Sequence, residues 1–326
     1  MVRCLALADE LRDVHGCKVA FAMVKATAGC SMAKSRGYQV LTADREALSR
    51  DYAGWLSTSV GEVKAEALIL DIRDDLPINA VSALNEKGIV IATIDDPSER
   101  RLLADLAFYP PVPQVLRMDW TGFSGKLYSG WKWVILRREF SHPIRRERHE
   151  NPVILVTMGG SDPYGLTLKA VKALDMLDGD FESLVLLGPG FLRQDELNGI
   201  VSKARHKFHL LSGVKNIPDL MSQADIALGS FGVTAYELAA MGVPGIFMCL
   251  TQDHVESASF FVESGMGECV GLHDHVSAEM LSSAIRRLMK NRSRWEEMST
   301  ACTKHVDGRG ARRVADKIIG RIANGD

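Results

Sequence analysis

Short runs of Val, Ile and Leu alternate along the chain with longer segments of helical period, the pattern of βα units around buried parallel sheets. In the first half these runs predict strands at Lys18–Val24, Gly37–Leu41, Ala67–Asp71 and Ile89–Ile94. In the second half they predict strands at Val153–Met158, Ser183–Leu187, Phe208–Leu211, Ile226–Gly229, Gly245–Leu250 and Glu268–Leu272. The N-terminus departs from this rhythm. Val2, Leu5, Ala8, Leu11 and Val14 lie on one helical stripe, and no strand precedes them. A doubly wound sheet ordinarily opens with a strand whose C-terminal end delivers a loop into the ligand crevice, so the first domain is expected to lack its first strand.

Length argues for two such sheets, because 326 residues exceed the size at which a single core usually stops growing. The segment SHPIRRERHENP, Ser141 to Pro152, is polar, highly charged and bounded by prolines, which makes it the best linker in the chain. The expected organisation is an N-terminal Rossmann-like domain over 1–140, a linker over 141–152 and a C-terminal Rossmann-like domain over 153–326. Composition adds only exclusions. With 46% apolar and 25% charged residues and a net charge of -2, the chain has no positive field to recruit nucleic acid or an anionic membrane. Asp9 and Glu10 interrupt any signal-peptide core, and no run reaches the roughly 18 apolar residues of a membrane span. A cytoplasmic protein with a small-molecule partner is expected. The six cysteines are scattered, with no CxxC pair and no zinc-ligand spacing, and read as reduced core residues.

Two turns carry chemistry. In GSFGVTAYELAAMGVPGIFM, Gly229 to Met248, a strand ends, a small turn of Ser230, Phe231 and Gly232 follows, and a helix begins near Val233. Unpaired N–H groups and the positive dipole end in its first turn suit a diphosphate, with Thr234 adding a hydroxyl. Glu237, one turn on, can accept two hydrogen bonds from vicinal ribose hydroxyls, or can simply be solvated. In TMGGSDPYGLT, Thr157 to Thr167, Gly159 and Gly160 let the backbone approach a ligand. Ser161 and Asp162 can cap the next helix, with Pro163 near its first position. Neither turn is a dinucleotide fingerprint or a P-loop.

These residues resemble a known family. The second half is similar to the nucleotide-binding domain of the GT-B sugar-nucleotide enzymes, and the whole chain resembles the hydrolase of pseudaminic acid biosynthesis, which removes UDP from a 2,4-diacetamido-2,4,6-trideoxy-sugar, together with related spore-coat polysaccharide proteins. The resemblance rests on MVRCLALADEL, TIDD at Thr93–Asp96, WVILRREF at Trp133–Phe140, MGGSDP and the Glu237 helix. The spacing Ser230, Thr234, Glu237 also resembles the N-acetylglucosaminyltransferase of peptidoglycan synthesis. It implies two Rossmann-like domains with an interdomain cleft. It further implies that Glu237 holds the ribose, that Ser161 and Gly160 with Ser230, Gly232, Val233 and Thr234 hold the diphosphate, and that backbone around Ile217 reads the uracil edge. Ile217 serves equally as a core anchor at a helix start.

The chain departs from the hydrolase pattern at three positions. The family's Gly-x-Gly-His loop before MVRCLALA, with its presumed base, has no counterpart; its Asp-x-Tyr reads Asp71-Ile72-Arg73; and its Asn near the sugar aligns with His254. His254 follows a strand and is the candidate for cleft contact or acid/base work. Asp95 and Asp96 are read as helix caps. Arg137 and Arg138 are read as a solvated face, and Trp120, Trp131 and Trp133 as interdomain packing. His273 and His275 lack a third ligand, so no metal or cofactor is expected. Three functions follow: a UDP-sugar hydrolase of nonulosonic acid and surface polysaccharide biosynthesis as the leading reading, a GT-B glycosyltransferase with a UDP-sugar donor, and a nucleotide-sugar-binding protein without chemistry.

Overall fold

A computed structural model of the chain describes all residues except 26, 143–146 and 325–326, so part of the expected linker lies outside the described residues. The chain divides into two compact units, one of 1–110, 114–138 and 309–326, the other of 111–113 and 139–308.

The first unit holds two separate parallel sheets. One pairs β1 (Ala20–Val24) with β2 (Gln39–Ala43); the other runs in the order β3 (Ala67–Leu70), β4 (Val90–Ile94), β5 (Leu106–Tyr109), β6 (Lys126–Ser129). The opening helix, Val2–Asp13, serves both sheets. Leu5 and Ala8 pack towards Phe21, Tyr38 and Val40, while Ala6, Leu7 and Leu11 pack with Ala92, Ile94, Leu106 and Phe108. The buried surface is therefore broader than the predicted stripe, whose ends Val2 and Val14 are exposed. Glu10 is buried on the same helix and accepts a hydrogen bond from Arg138 Nε at 2.7 Å. Burial of a carboxylate is tolerable only when it is paired, so Arg138 is a counter-ion rather than a solvated face.

The last helix, Gly310–Asn324, also packs on this unit, whereas the sequence reading assigns 309–326 to the second domain. Its stripe of Ala311, Val314, Ala315 and Ile318 joins the core of the opening helix, and Arg321 Nη2 meets Asp105 at 2.7 Å. An amphipathic stripe announces that a helix is buried but not against which sheet. Trp133 packs with Phe108 and Tyr128, and Trp120 with Tyr109 and Phe123, all within the first unit.

The second unit is a single six-stranded parallel sheet: β7 (Val153–Thr157), β8 (Glu182–Leu187), β9 (Phe208–Ser212), β10 (Ile226–Ser230), β11 (Gly245–Cys249) and β12 (Gly267–Leu272). Its order is β12-β11-β10-β7-β8-β9. Counted from β7 as strand one, this is 3-2-1-4-5-6, the Rossmann order, which reverses direction between β7 and β10. Every residue of β7 and β11 is buried, as expected for strands covered by helices on both faces. The core on one face gathers Ile154, Val156, Ile226, Leu228, Ile246 and Met248 under the helices Leu166–Asp175 and Ala278–Lys290.

Candidate functional site

In an open α/β sheet, ligands bind outside the carboxyl ends of the strands where the strand order reverses, because the two neighbouring loops leave for opposite faces and open a crevice. Here that point lies between β7 and β10, and their register sets Thr157 opposite Gly229. The loops that begin there, 158–165 after β7 and 231–232 after β10, are the two glycine turns singled out in the sequence. They are close-packed at the start. A Cβ at Gly229 would lie 3.1 Å from the Thr157 carbonyl oxygen.

Beyond that contact the loops open. A Cβ added to Gly160 or to Gly232 would meet nothing within 4 Å. Gly159 takes φ 76°, a region that glycine enters without penalty. The first loop is braced from behind by a turn the sequence reading passed over, Gly188-Pro189-Gly190 after β8. Gly190 N donates to the Gly160 carbonyl at 2.8 Å, and a Cβ on Gly188 would lie 2.2 Å from the Gly159 oxygen. Two glycines spaced one residue apart at a predicted strand end were the available signal.

Asp162, buried and at φ 43°, accepts from the N–H groups of Leu166 and Thr167 at 2.7 and 2.8 Å. It caps the helix Leu166–Asp175 as its sequence suggests. The helix, however, starts after Gly165 at φ 67°, so Pro163 stands in the loop and not at the first helical position. Ser161 is exposed beside it. On the second loop, Phe231 is buried edge-on against Phe247 and Phe261, ring centroids 5.9 and 5.7 Å away. That anchor fixes Gly232 and the start of the helix Val233–Ala240, whose Val233 is exposed and whose Thr234 is half-buried. Glu237 is 8% exposed, which removes the reading of a solvated face.

His254 belongs to the next loop along the same sheet edge. Thr251 caps the helix Gln252–Glu263 by accepting from His254 N at 3.2 Å. The imidazole Nδ1 is buried with no hydrogen-bond partner among the described residues. A buried ring nitrogen without a partner is costly and invites a ligand group. Ile217, at the start of the helix Ile217–Gln223, follows β9, which is separated from β7 by β8. It shares the sheet edge but stands further from the reversal point, and its helix is capped by the Asn216 side chain.

The corresponding edge of the first unit carries charge. Asp96 is buried, accepts from Ser98 N at 2.8 Å and pairs with Arg100 Nε at 3.2 Å, but the cap of the helix Glu99–Leu103 is Ser98, whose side chain accepts from Arg100 N. Its neighbour Asp95 does not cap: at φ 53° it is held by Arg73 at 2.8 Å and Arg3 at 3.2 Å. Arg3 also grips Asp71 at 2.8 Å. Burial alone would raise the Asp71 carboxyl, but Arg3 outweighs it and holds the group below its ordinary range. Burial and the Asp71 charge together push the Cys4 thiol up to about 11. Among the described residues no group of three or more His, Cys, Asp or Glu could hold a metal ion, and no helix is long and apolar enough to cross a membrane.

Comparison with known proteins is concentrated on the second unit. Residues 153–314 match the model of the glycosyltransferase family 28 C-terminal domain. The chain is 33% identical over 129 residues to the uncharacterised protein MJ1062 of Methanocaldococcus jannaschii, covering 37% of this chain and 26% of that protein. It is 25% identical over 196 residues to the spore coat polysaccharide biosynthesis protein SpsG of Bacillus subtilis, covering 58% of this chain and 57% of that one. These matches span about a quarter of the first relative and over half, but less than two thirds, of the second. Among solved structures, MurG of Acinetobacter baumannii superposes with TM-score 0.74 at 16% identity over 98% of this chain and 95% of that one. MnaA of Staphylococcus aureus, solved with UDP, gives 0.68 at 13% identity over 100% and 95%. The protein thus has the two-domain α/β fold of the GT-B glycosyltransferases and epimerases, and its second half is similar to the family 28 C-terminal domain.

Proposed function

We propose that the protein is a GT-B glycosyltransferase that takes a UDP-sugar donor and serves surface polysaccharide biosynthesis. The single observation that carries this reading is the strand-order reversal between β7 and β10, flanked by two loops whose glycines leave open space, inside a segment similar to the family 28 C-terminal domain. In this reading the open backbone at Gly160 and Gly232, with Ser161, Ser230, Val233 and Thr234, receives the diphosphate at the positive end of the Val233–Ala240 helix. Glu237 accepts from the ribose hydroxyls, backbone near Ile217 contacts the base, and the orphaned His254 nitrogen meets a polar group of the donor. An acceptor hydroxyl oxygen bonds to the anomeric carbon and releases its proton to solvent, the bond from that carbon to the phosphate oxygen breaks, and the helix end stabilises the charge developing on the departing UDP. The hydrolase favoured by the sequence reading differs only in taking water as acceptor. The transferase is preferred because the likeness to the family 28 C-terminal domain is to a glycosyltransferase family.

Titration calorimetry of UDP against the wild type and Glu237→Ala tests the site; binding that weakens at least about tenfold in the variant supports it, since losing a charge-assisted hydrogen bond costs about 1.5–3 kcal/mol. No UDP binding to the wild type overturns it. Release of UDP from UDP-sugars only when acceptor glycans are added supports transfer, whereas equal release in water alone supports the hydrolase.

A further inference from the structure

The six cysteines look isolated in sequence, yet two of them meet. Strands β11 and β12 pair with Phe247 opposite Cys269; the register then skips Val270, so that Met248 faces Gly271 and Cys249 faces Leu272. Gly271 takes the bend at φ 111°, where a residue with a Cβ would be strained. Such a bulge sharpens the local twist and redirects side chains. Here it brings the sulfur atoms of Cys249 and Cys269 to 3.4 Å. Strand alternation puts both on the face of Phe247, away from Ile246, Met248 and Val270, which pack into the core beneath the Ala278–Lys290 helix. On the Phe247 face lies the helix Gln252–Glu263, whose Phe261 ring stands 5.5 Å from that of Phe247.

We propose that Cys249 and Cys269 form a reversible dithiol–disulfide pair, closed by exchange with a low-molecular-weight disulfide, and that closure tightens the loop 250–254 that carries His254. The two thiols differ in the way such exchange requires. Cys269 is partly exposed, whereas Cys249 is fully buried. The hydrogen bond from the Cys249 sulfur, aided by the Gly271 N–H, holds the Cys269 thiol below its ordinary range against the opposing effect of burial. That same bond, with burial, pushes the Cys249 thiol up. Cys269 is therefore the entering nucleophile. Its thiolate attacks the small disulfide, one thiolate leaves and takes a proton, and a mixed disulfide remains on Cys269. Cys249 then attacks the Cys269 sulfur, loses its proton, and expels the second small thiol. Two electrons pass from the protein to the small disulfide, and the sum is one protein disulfide and two small thiols.

A disulfide bond is about 2.0 Å long, so closure draws the two sulfur atoms about 1.4 Å closer together. Cys249 is the last residue of β11, and Thr251, which caps the next helix at His254, stands two residues further on. In the proposed pair, the covalent tie at the end of β11 restrains the residues that lead into that cap. This reaction stands independently of UDP binding.

The test uses the whole chain equilibrated in glutathione buffers of rising glutathione disulfide content, followed by differential alkylation and peptide mass analysis. Cys249 and Cys269 should lose reactivity together, appear as one cross-linked peptide pair, and recover with dithiothreitol, while Cys17 stays alkylatable. In the reduced protein Cys269 should alkylate at least about tenfold faster than Cys249. Amide exchange of 250–254 should slow on oxidation. A glutathione adduct that accumulates on Cys269 without cross-linking, or closure that leaves exchange at 250–254 unchanged, overturns the proposal. Cys269→Ser should abolish closure; should that variant fold poorly, the wild-type measurements decide alone.

Discussion

Gly188→Ala isolates the brace behind the first glycine loop. The added methyl would lie 2.2 Å from the Gly159 oxygen and 2.4 Å from the Gly160 oxygen, both backbone atoms. Reaching ordinary contact near 3.4 Å needs a separation of about 1.2 Å between the turn and the loop. That movement breaks the hydrogen bond from Gly190 N to the Gly160 carbonyl, worth about 1 kcal/mol. Forcing extra volume into a packed site adds about 1–3 kcal/mol. The expected loss is about 2–4 kcal/mol. For a unit of this size each kcal/mol shifts the melting point by about 2–4 °C, so a cost near 3 kcal/mol lowers it by about 6–12 °C. Calorimetric melting of the wild type, Gly188→Ala and the control Gly199→Ala measures this. Gly199 sits in the helix Gln194–Val201 with nothing within 4 Å of an added Cβ, so the same substitution there stabilises by up to about 1 kcal/mol. Melting of Gly188→Ala within about 2 °C of the wild type would refute the close packing of the two turns.

Three further expectations follow from the same geometry. Gly232→Ala adds a methyl to open space, so melting should shift by no more than the equivalent of about 0.5 kcal/mol while UDP affinity drops at least about tenfold by titration calorimetry; unchanged affinity counts against a ligand at that loop. Asp225, fully buried, accepts from the N–H groups of His149 and Val153 and from the His149 ring, so Asp225→Ala should cost about 3–5 kcal/mol in denaturant unfolding, with Asn costing less. Asp71 is held below its ordinary range in the fold, so its stabilisation is present above the unfolded value near 3.9 and is lost as pH falls through the lower native value. Asp71→Asn should therefore destabilise the first unit at pH 7 and flatten its acid limb, and an acid limb identical to wild type would remove Arg3–Asp71 as its cause.

Every predicted strand exists, because a short run rich in Val, Ile and Leu is recognisable without its partner, whether wholly buried as in β7 and β11 or partly exposed as in β1 and β2. The glycine turns, the Asp162 cap and the Glu237 helix were legible for the same reason: turn and cap chemistry is local. Two strands escaped. β5 and β6 are four residues each, and β6, with Lys126, Leu127 and Ser129 exposed, has no apolar run to betray it; only pairing with β5 makes it a strand.

What tertiary structure alone decided is adjacency. The sequence determined that Gly229 and Thr157 end strands, but the order 3-2-1-4-5-6 made them neighbours. It determined that Gly310–Asn324 is amphipathic, but only packing set its stripe of Ala311, Val314, Ala315 and Ile318 into the first unit's core, with Arg321 beside Asp105. It determined six cysteines, but a one-residue bulge in β12 joined two of them. Periodicity and turn chemistry are written within a few residues of chain, whereas strand order, ion pairing and bulge register depend on which distant segments share a core, and that is fixed only when the whole chain has packed.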